Sequence, residues 1–170
     1  MMTMSNVASF LGSFDHETNS EYLKASKEGD IQTLNGLLQV GANLESKDED
    51  GNTGLHHSAE RGHEDVVRRL LDKGMNINIR GYQGWTPLMA AAMMGQDKIV
   101  NILIEAGADI SCKQEDGDTA LHHAAAGRHD AVVKLLLDRG MDIKHQRKQR
   151  LDSFNACSHM GQEDYCKYSY

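Results

Sequence analysis

Six histidines occur in two matched triplets, and these are the residues of the sequence whose types and spacing best suit chemistry. The stretch LHHSAERGH spans residues 55–63, and LHHAAAGRH spans residues 121–129. Neutral imidazoles bind zinc, and they also act as general acids or bases near neutral pH. The triplets therefore raise three hypotheses: a metal site, a catalytic site, or histidines that recur because the architecture recurs.

The third hypothesis follows from a repeat with a period of 33 residues. Four sets of residues align at this period: Gly51, Gly84 and Gly117; Thr53, Thr86 and Thr119; Leu55, Leu88 and Leu121; Ala59, Ala92 and Ala125. Self-similarity at a fixed period of this length is the sequence signature of a stacked repeat array. The elements that position the histidines are therefore expected to be identical structural units.

Each unit has the pattern of two short helices and a loop. Thr53, Thr86 and Thr119 stand where a side-chain oxygen can cap the first helix, and Pro87 suits a first helical turn. The segment DAVVKLLLDRG, residues 130–140, has apolar residues at helical spacing and a glycine that can end the helix. The glycine-containing stretches before the threonines suit tight turns. The sequence thus predicts an all-α solenoid of stacked helix-turn-helix units with projecting β-turn loops.

These residues resemble the ankyrin repeat family, whose Thr-Pro-Leu-His-x-Ala signature is similar to TGLHHSA, TPLMAAA and TALHHAA here. The resemblance begins near residue 15, and residues 1–14 are expected to form a flexible arm. It implies an ankyrin repeat domain over 15–170, in which the first and last of five units are divergent. The units lie at about 15–47, 48–80, 81–113, 114–146 and 147–170. Arg128 replaces the turn glycine of the earlier units, with Gly127 one residue before it, which predicts a shifted turn.

The resemblance implies structural roles for four of the histidines. His56 and His122 match a histidine that forms hydrogen bonds between the first helix and the loops. His63 and His129 match a Gly-His turn that ties one repeat to the next. A shared metal site is disfavoured, because helices that pack roughly 8–10 Å apart place the triplets roughly 16–20 Å apart, whereas zinc ligands lie about 2 Å from the ion. We expect no metal and no cofactor.

The sequence also lacks the motifs of common catalytic sites. It contains no Gly-x-Ser-x-Gly elbow, no Gly-rich phosphate loop ending in Lys-Ser or Lys-Thr, and no HExxH. We therefore expect a protein that is not an enzyme.

Charge and composition indicate which kinds of partner and which cellular compartment suit this protein. The formal net charge of −7 disfavours nucleic acid as a partner. Cys112, Cys157 and Cys166 lack disulfide spacing, which is typical of a reducing compartment. We see no secretory segment, and no apolar run is long enough to cross a membrane. The sequence predicts a monomer in the cytoplasm or nucleus.

The central unit differs from its neighbours at the positions that vary between repeats. Tyr82 and Trp85 occupy loop positions that are polar in the flanking units. Met93 and Met94 occupy helix positions that are charged or small there. Binding hot spots favour Trp and Tyr, and methionine suits adaptable contacts. These four residues are the predicted recognition site; the alternative is that Trp85 packs on the next loop and the methionines pack between helices.

Acidic loop residues flank this apolar centre: Glu49, Asp50, Glu115, Asp116 and Asp118. They would favour a protein segment in which Lys or Arg flanks an apolar anchor. A solvated acidic surface without a partner would have the same sequence.

Three functional classes follow from the resemblance. The leading one is a non-catalytic protein–protein interaction module, an adaptor or scaffold that binds a partner on its concave surface. The alternatives are a small ankyrin-type inhibitor of an enzyme such as a protein kinase, and a recognition domain of a larger ubiquitin-ligase or channel protein. Asn78 also resembles an asparagine that oxygen-dependent hydroxylases modify in some ankyrin-like loops, which makes it a candidate modification site.

Overall fold

The structure, a computed structural model, describes residues 4–140, with side chains from residue 16 onward. Within this range the regular structure is helical, apart from one isolated antiparallel bridge between Lys47 and Thr53. The α-helices are α1 (Met4–Glu28), α2 (Ile31–Gln39), α3 (Gly54–Arg61), α4 (Glu64–Asp72), α5 (Pro87–Met93), α6 (Asp97–Glu105), α7 (Ala120–Ala126) and α8 (Asp130–Asp138). A short 3-10 turn, Tyr82–Gly84, precedes α5.

Local sequence sets where these helices begin. Asp30 precedes α2, and its Oδ1 accepts hydrogen bonds from the backbone N–H groups of Gln32 at 3.1 Å and Thr33 at 3.0 Å. Thr86 precedes α5, and its side chain accepts a hydrogen bond from Met89 N. Pro87 is the first helical residue, a position at which a backbone N–H would find no acceptor within the helix. Each cap satisfies backbone donors that the first turn of a helix leaves unpaired.

The helices form two rows along the stack. The first helices of successive units, α1, α3, α5 and α7, pack closely on one another, whereas α4, α6 and α8 pack less closely. Ala59 and Ala92 are fully buried between the first helices, and their small side chains allow the close approach. The loops contact one another from unit to unit, as in the hydrogen bond from Tyr82 N to Asn52 Oδ1. The predicted all-α solenoid is confirmed.

Tyr22 anchors the divergent first unit. It stands one period before Leu55, it is fully buried, and its hydroxyl donates a hydrogen bond to Leu44 O at 3.0 Å. A Cβ atom on Gly54 would lie 2.7 Å from the Tyr22 hydroxyl oxygen and 2.6 Å from Ser26 Oγ. Gly54 is therefore required because the large Tyr22 side chain fills the space that Pro87 and Ala120 use in later units.

α1 begins at Met4 and so includes most of residues 1–14, for which the sequence predicts a flexible arm. The physical reason is visible in the sequence. Val7, Phe10, Leu11 and Phe14 are spaced i, i+3, i+4 and i+7, which is typical of one face of a helix. The pattern was too short to predict a helix alone, but it continues the helical spacing of residues 18–26.

The turn at Arg128 is not shifted, contrary to prediction. Gly127 has an ordinary helical φ of −76°, and Arg128 itself takes the left-handed conformation, with φ of 59°. Gly62 and Gly95 occupy this position in the earlier units, with φ of 80° and 69°. The stack fixes the turn geometry, so a residue that disfavours the left-handed region adopts it nevertheless.

Arg128→Gly is therefore expected to stabilise the protein. Relief of the left-handed strain should raise the free energy of unfolding by roughly 1 kcal/mol, measured by urea denaturation. Gly95→Ala is the matched control and should lower stability, because it adds strain at the same turn and places a Cβ against the His129 ring. Equal effects of both substitutions would contradict this account of the turn.

The last predicted unit, residues 147–170, lies outside the described residues, as do Cys157 and Cys166.

Candidate functional site

His56 connects the first helix of one unit to the loop of the next. Its Nδ1 accepts a hydrogen bond from the Thr53 backbone N–H at 3.2 Å and lies 2.9 Å from Thr53 Oγ1. Its Nε2 lies 3.0 Å from Trp85 O, so the proton belongs on Nε2, which donates to that carbonyl. Burial lowers the pKa of His56 to about 4. The ring is thus neutral at physiological pH, and both of its nitrogens are used inside the framework.

His122 repeats the first half of this arrangement. Its Nδ1 lies 3.1 Å from the Thr119 backbone N–H and 3.0 Å from Thr119 Oγ1. Burial lowers its pKa as well. The central unit has Met89 at this position, and Met89 is fully buried. This position therefore belongs to the framework in all three units, either as a hydrogen-bonded imidazole or as an apolar side chain.

His63 and His129 form hydrogen bonds back to the preceding unit. His63 Nε2 lies 3.0 Å from Lys27 O, and His129 Nε2 lies 2.9 Å from Met93 O. In the central unit Gln96 takes the same position, and its Nε2 donates to Glu60 O at 3.2 Å. Each of these bonds spans 36 residues, so three side chains perform one structural task at successive steps of the stack.

A second histidine pairing was missed from the sequence. His57 Nε2 lies 2.7 Å from Asp48 Oδ2, and His123 Nε2 lies 3.1 Å from Gln114 Oε1. Each acceptor precedes its histidine by nine residues, a spacing that a comparison of the units could have revealed. One period after His57 the central unit has Ala90, and one period after Asp48 it has Gly81. The central unit therefore lacks both members of the pair.

Each of these histidines has at least one ring nitrogen paired with a different group of the framework. In the part of the chain that the structure describes, no three His, Cys, Asp or Glu side chains are arranged to hold a metal. His56 and His57 point to different partners, Trp85 and Asp48.

A surface depression of about 260 Å³, which we call the central depression, lies between the units of α3 and α5. One wall comes from the earlier unit and is polar; the other comes from the central unit and is largely apolar. The polar wall consists of Asn52, His56, His57 and Glu60, and the apolar wall consists of Tyr82, Trp85, Ala90, Met93 and Met94. All four residues predicted to form the recognition site thus lie around one depression.

The apolar wall is open to solvent. Tyr82 is 52% exposed, Met93 is 40% exposed and Met94 is 52% exposed. Val40, at 64%, is the other large apolar side chain of the described residues with comparable exposure, and it lies at the end of α2. Clustered exposure of large apolar side chains is typical of an interaction surface, whereas a single residue such as Val40 is ordinary.

Trp85 differs from the other three because it is half-buried and packs against the core. Its ring lies on the ring of His123, with 4.3 Å between the ring centroids. Its backbone carbonyl accepts the hydrogen bond from His56. Trp85 therefore packs against its neighbours, as the alternative interpretation of the sequence held, and it also lines the central depression.

The loops stack so that acidic side chains flank Tyr82. Tyr82 N donates to Asn52 Oδ1 at 3.2 Å, and Glu115 N donates to Gln83 O at 3.0 Å. We call the flanking carboxylates the acidic loop tips: Glu49, Asp50, Glu115 and Asp116, which are exposed, and Asp118, which is half-buried. These contacts set the apolar wall between two groups of negative charge.

Asn78, the candidate modification site, is half-buried between two loops. Its Oδ1 accepts a hydrogen bond from Asp109 N at 2.9 Å, and its backbone N–H donates to Asn76 Oδ1 at 3.0 Å. An enzyme acting on this side chain would have to break the link to Asp109. The modification stays a prediction.

Because Trp85 is the only tryptophan of the chain and lies on His123, its fluorescence should report the charge of that histidine. Burial lowers the pKa of His123, so quenching by the protonated ring should have a midpoint below the ordinary 6.5. We expect His123→Gln to remove this transition in a fluorescence titration, while His63→Gln leaves it in place. A transition that persists in His123→Gln would show that another group is responsible.

The fold and the site together define a class of protein: a helical repeat solenoid with a partly apolar depression between two successive units. The family model for ankyrin repeats (3 copies) matches residues 23–114 and 107–168, and the chain belongs to the ankyrin repeat family. Members of this family are generally protein–protein interaction modules and are typically non-catalytic. A comparison with curated proteins gives no match. Among the described helices, none has the length and apolar character needed to cross a bilayer.

Proposed function

We propose that this protein is an adaptor or scaffold that binds a partner protein through the central depression. The observation that carries the proposal is the clustering of Tyr82, Met93 and Met94, three exposed apolar side chains, around one depression. Burying such side chains against a partner contributes favourable free energy without any change in the framework.

The acidic loop tips favour a basic partner. They carry negative charge on both sides of Tyr82, and charge of one sign raises the association rate of a partner of opposite sign. The partner segment is therefore proposed to combine an apolar anchor for the depression with Lys or Arg on either side.

A photo-crosslinking residue placed at Tyr82 tests the proposal, with the same residue at Val40 as a matched control. Both positions are exposed, but only Tyr82 lines the central depression. We expect the Tyr82 variant alone to form crosslinks to a specific protein in cell extract, and that protein, once purified, to bind the unmodified chain. Equal crosslinking from both positions would contradict the proposal.

The crosslinked protein also separates the functional classes. If it is an enzyme whose activity falls on addition of the purified chain, the protein is an inhibitor and acts through the same surface. If it is a subunit of a ubiquitin ligase or a channel component, the chain serves as a recognition module. A cytoplasmic or nuclear location and a monomeric state remain part of the proposal, and each can be tested by imaging and by light scattering.

A further inference from the structure

The two walls of the central depression offer different chemistry to whatever enters it. On the polar wall, Asn52 Oδ1 already accepts from Tyr82 N, and His57 Nε2 is paired with Asp48. Glu60 is the one carboxylate of that wall, its side chain is 46% exposed, and its Oε2 lies 4.0 Å from His57 Nδ1, too far for a hydrogen bond. Glu60 therefore presents a negative charge with hydrogen-bonding capacity at the edge of the depression.

The apolar wall lines the same depression as this carboxylate. Ala90 and the methionines provide an aliphatic surface, and Tyr82 adds an exposed aromatic ring. A purely apolar side chain would fit this wall but would remove water from Glu60 without replacing its hydrogen bonds, which is unfavourable. The occupant that satisfies both walls must be apolar along its length and cationic at its end.

Arginine meets this requirement better than lysine. Its aliphatic stem packs on apolar surface, its guanidinium can donate two parallel hydrogen bonds to a carboxylate, and its flat face stacks on an aromatic ring. The lysine ammonium is more strongly hydrated and has no flat face. The depression, about 260 Å³ in volume, has room for a single long side chain.

We propose that the central depression is an arginine-binding subsite, in which Glu60 pairs with the guanidinium of a partner arginine and Tyr82 stacks on it. This inference rests on the proposed function and refines it: the anchor that enters the depression is the stem of an arginine, packed on the apolar wall, rather than a purely apolar side chain. It assigns Glu60 a binding role that the sequence comparison of apolar residues did not.

A displayed library of random-sequence peptides, selected on the purified chain, supplies the probes. Selected peptides are synthesised with each essential basic residue as arginine, lysine, citrulline or norleucine. Citrulline keeps the shape of arginine and lacks its charge. We expect one arginine whose replacement by citrulline weakens binding at least about tenfold, the loss typical of a charge-assisted hydrogen bond, and whose replacement by lysine weakens binding less.

Glu60→Gln identifies the carboxylate concerned. With this variant the arginine and citrulline peptides should bind with similar affinity, because the charge that distinguishes them is gone. Glu49→Gln is the matched control: it removes the same charge from an acidic loop tip outside the depression, and the preference for arginine should remain.

The outcomes separate this inference from the proposed function. If peptides lose affinity with Tyr82→Ala and Met94→Ala but bind equally with citrulline or norleucine, the arginine subsite is wrong and the proposed function stands. If an arginine preference persists in Glu60→Gln, the subsite is wrong as well. If the peptides are insensitive to Tyr82→Ala and Met94→Ala, both proposals are overturned.

Discussion

Lowering the pH from 7 to 4 is expected to remove about 3 kcal/mol of stability through His56 alone. Burial lowers the pKa of His56 to about 4 in the folded protein, against an ordinary value of 6.5. Between these two values the unfolded chain binds a proton that the folded chain does not, so acid favours unfolding. The contribution is fully present above pH 6.5 and is lost as the pH falls toward 4. The pKa values of His122 and His123 are lowered in the same direction.

Urea denaturation at a series of pH values measures this effect. The chain itself supplies the control, since Met89 occupies the position of His56 in the central unit. His56→Met should lower stability at pH 7, because Thr53 and Trp85 lose their hydrogen-bond partner. It should also flatten the dependence of the unfolding free energy on pH between 6.5 and 4. An unchanged slope would show that His56 is not the group that resists protonation.

Trp85→Ala is expected to reduce both stability and binding. The half-buried ring packs on His123 and against the core, so its loss should lower the free energy of unfolding by about 2 kcal/mol, less than the roughly 3–5 kcal/mol of a fully buried tryptophan. The ring also lines the central depression, and its loss should weaken partner binding by about 2 kcal/mol or more. The sequence left binding and packing open as alternatives for Trp85, and the contact with His123 of the next unit shows that the ring does pack.

His123→Ala separates the two effects of Trp85. It removes the stacking partner in the next unit while the indole stays in the depression. We expect it to lower stability with a smaller loss of affinity per folded molecule, measured by calorimetry well below the melting temperature. Equal losses of affinity in Trp85→Ala and His123→Ala would mean that Trp85 acts only by packing.

The repeat period made most of the fold predictable from the sequence. Leu55, Leu88 and their neighbours mark the buried face of each first helix, and Pro87 marks a helix start. These are local signals, and the stack repeats them. Arg128 shows the limit of such reasoning: its side chain disfavours a left-handed turn, yet the packing of successive units imposes one.

The residues of the candidate site could be proposed from the sequence, but the shape of the depression that they line could not. Comparison of the units singled out Tyr82, Met93 and Met94 because they are large and apolar where neighbours are not. Ala90 lines the depression and stands where the other units have a hydrogen-bonded histidine. A small residue such as alanine does not by itself indicate a depression. The depression and the exposure of Glu60 at its edge are therefore visible only in the structure.

The affinity of the Tyr82→Ala, Met94→Ala double variant for the crosslinked partner tests the central claim most directly. Both side chains are about half exposed, so the variant should melt at the temperature of the unmodified protein. We expect calorimetry to give a dissociation constant at least about 30-fold weaker, corresponding to roughly 2 kcal/mol, while Val40→Ala binds normally. A double variant that binds as tightly as the unmodified protein would contradict the central claim.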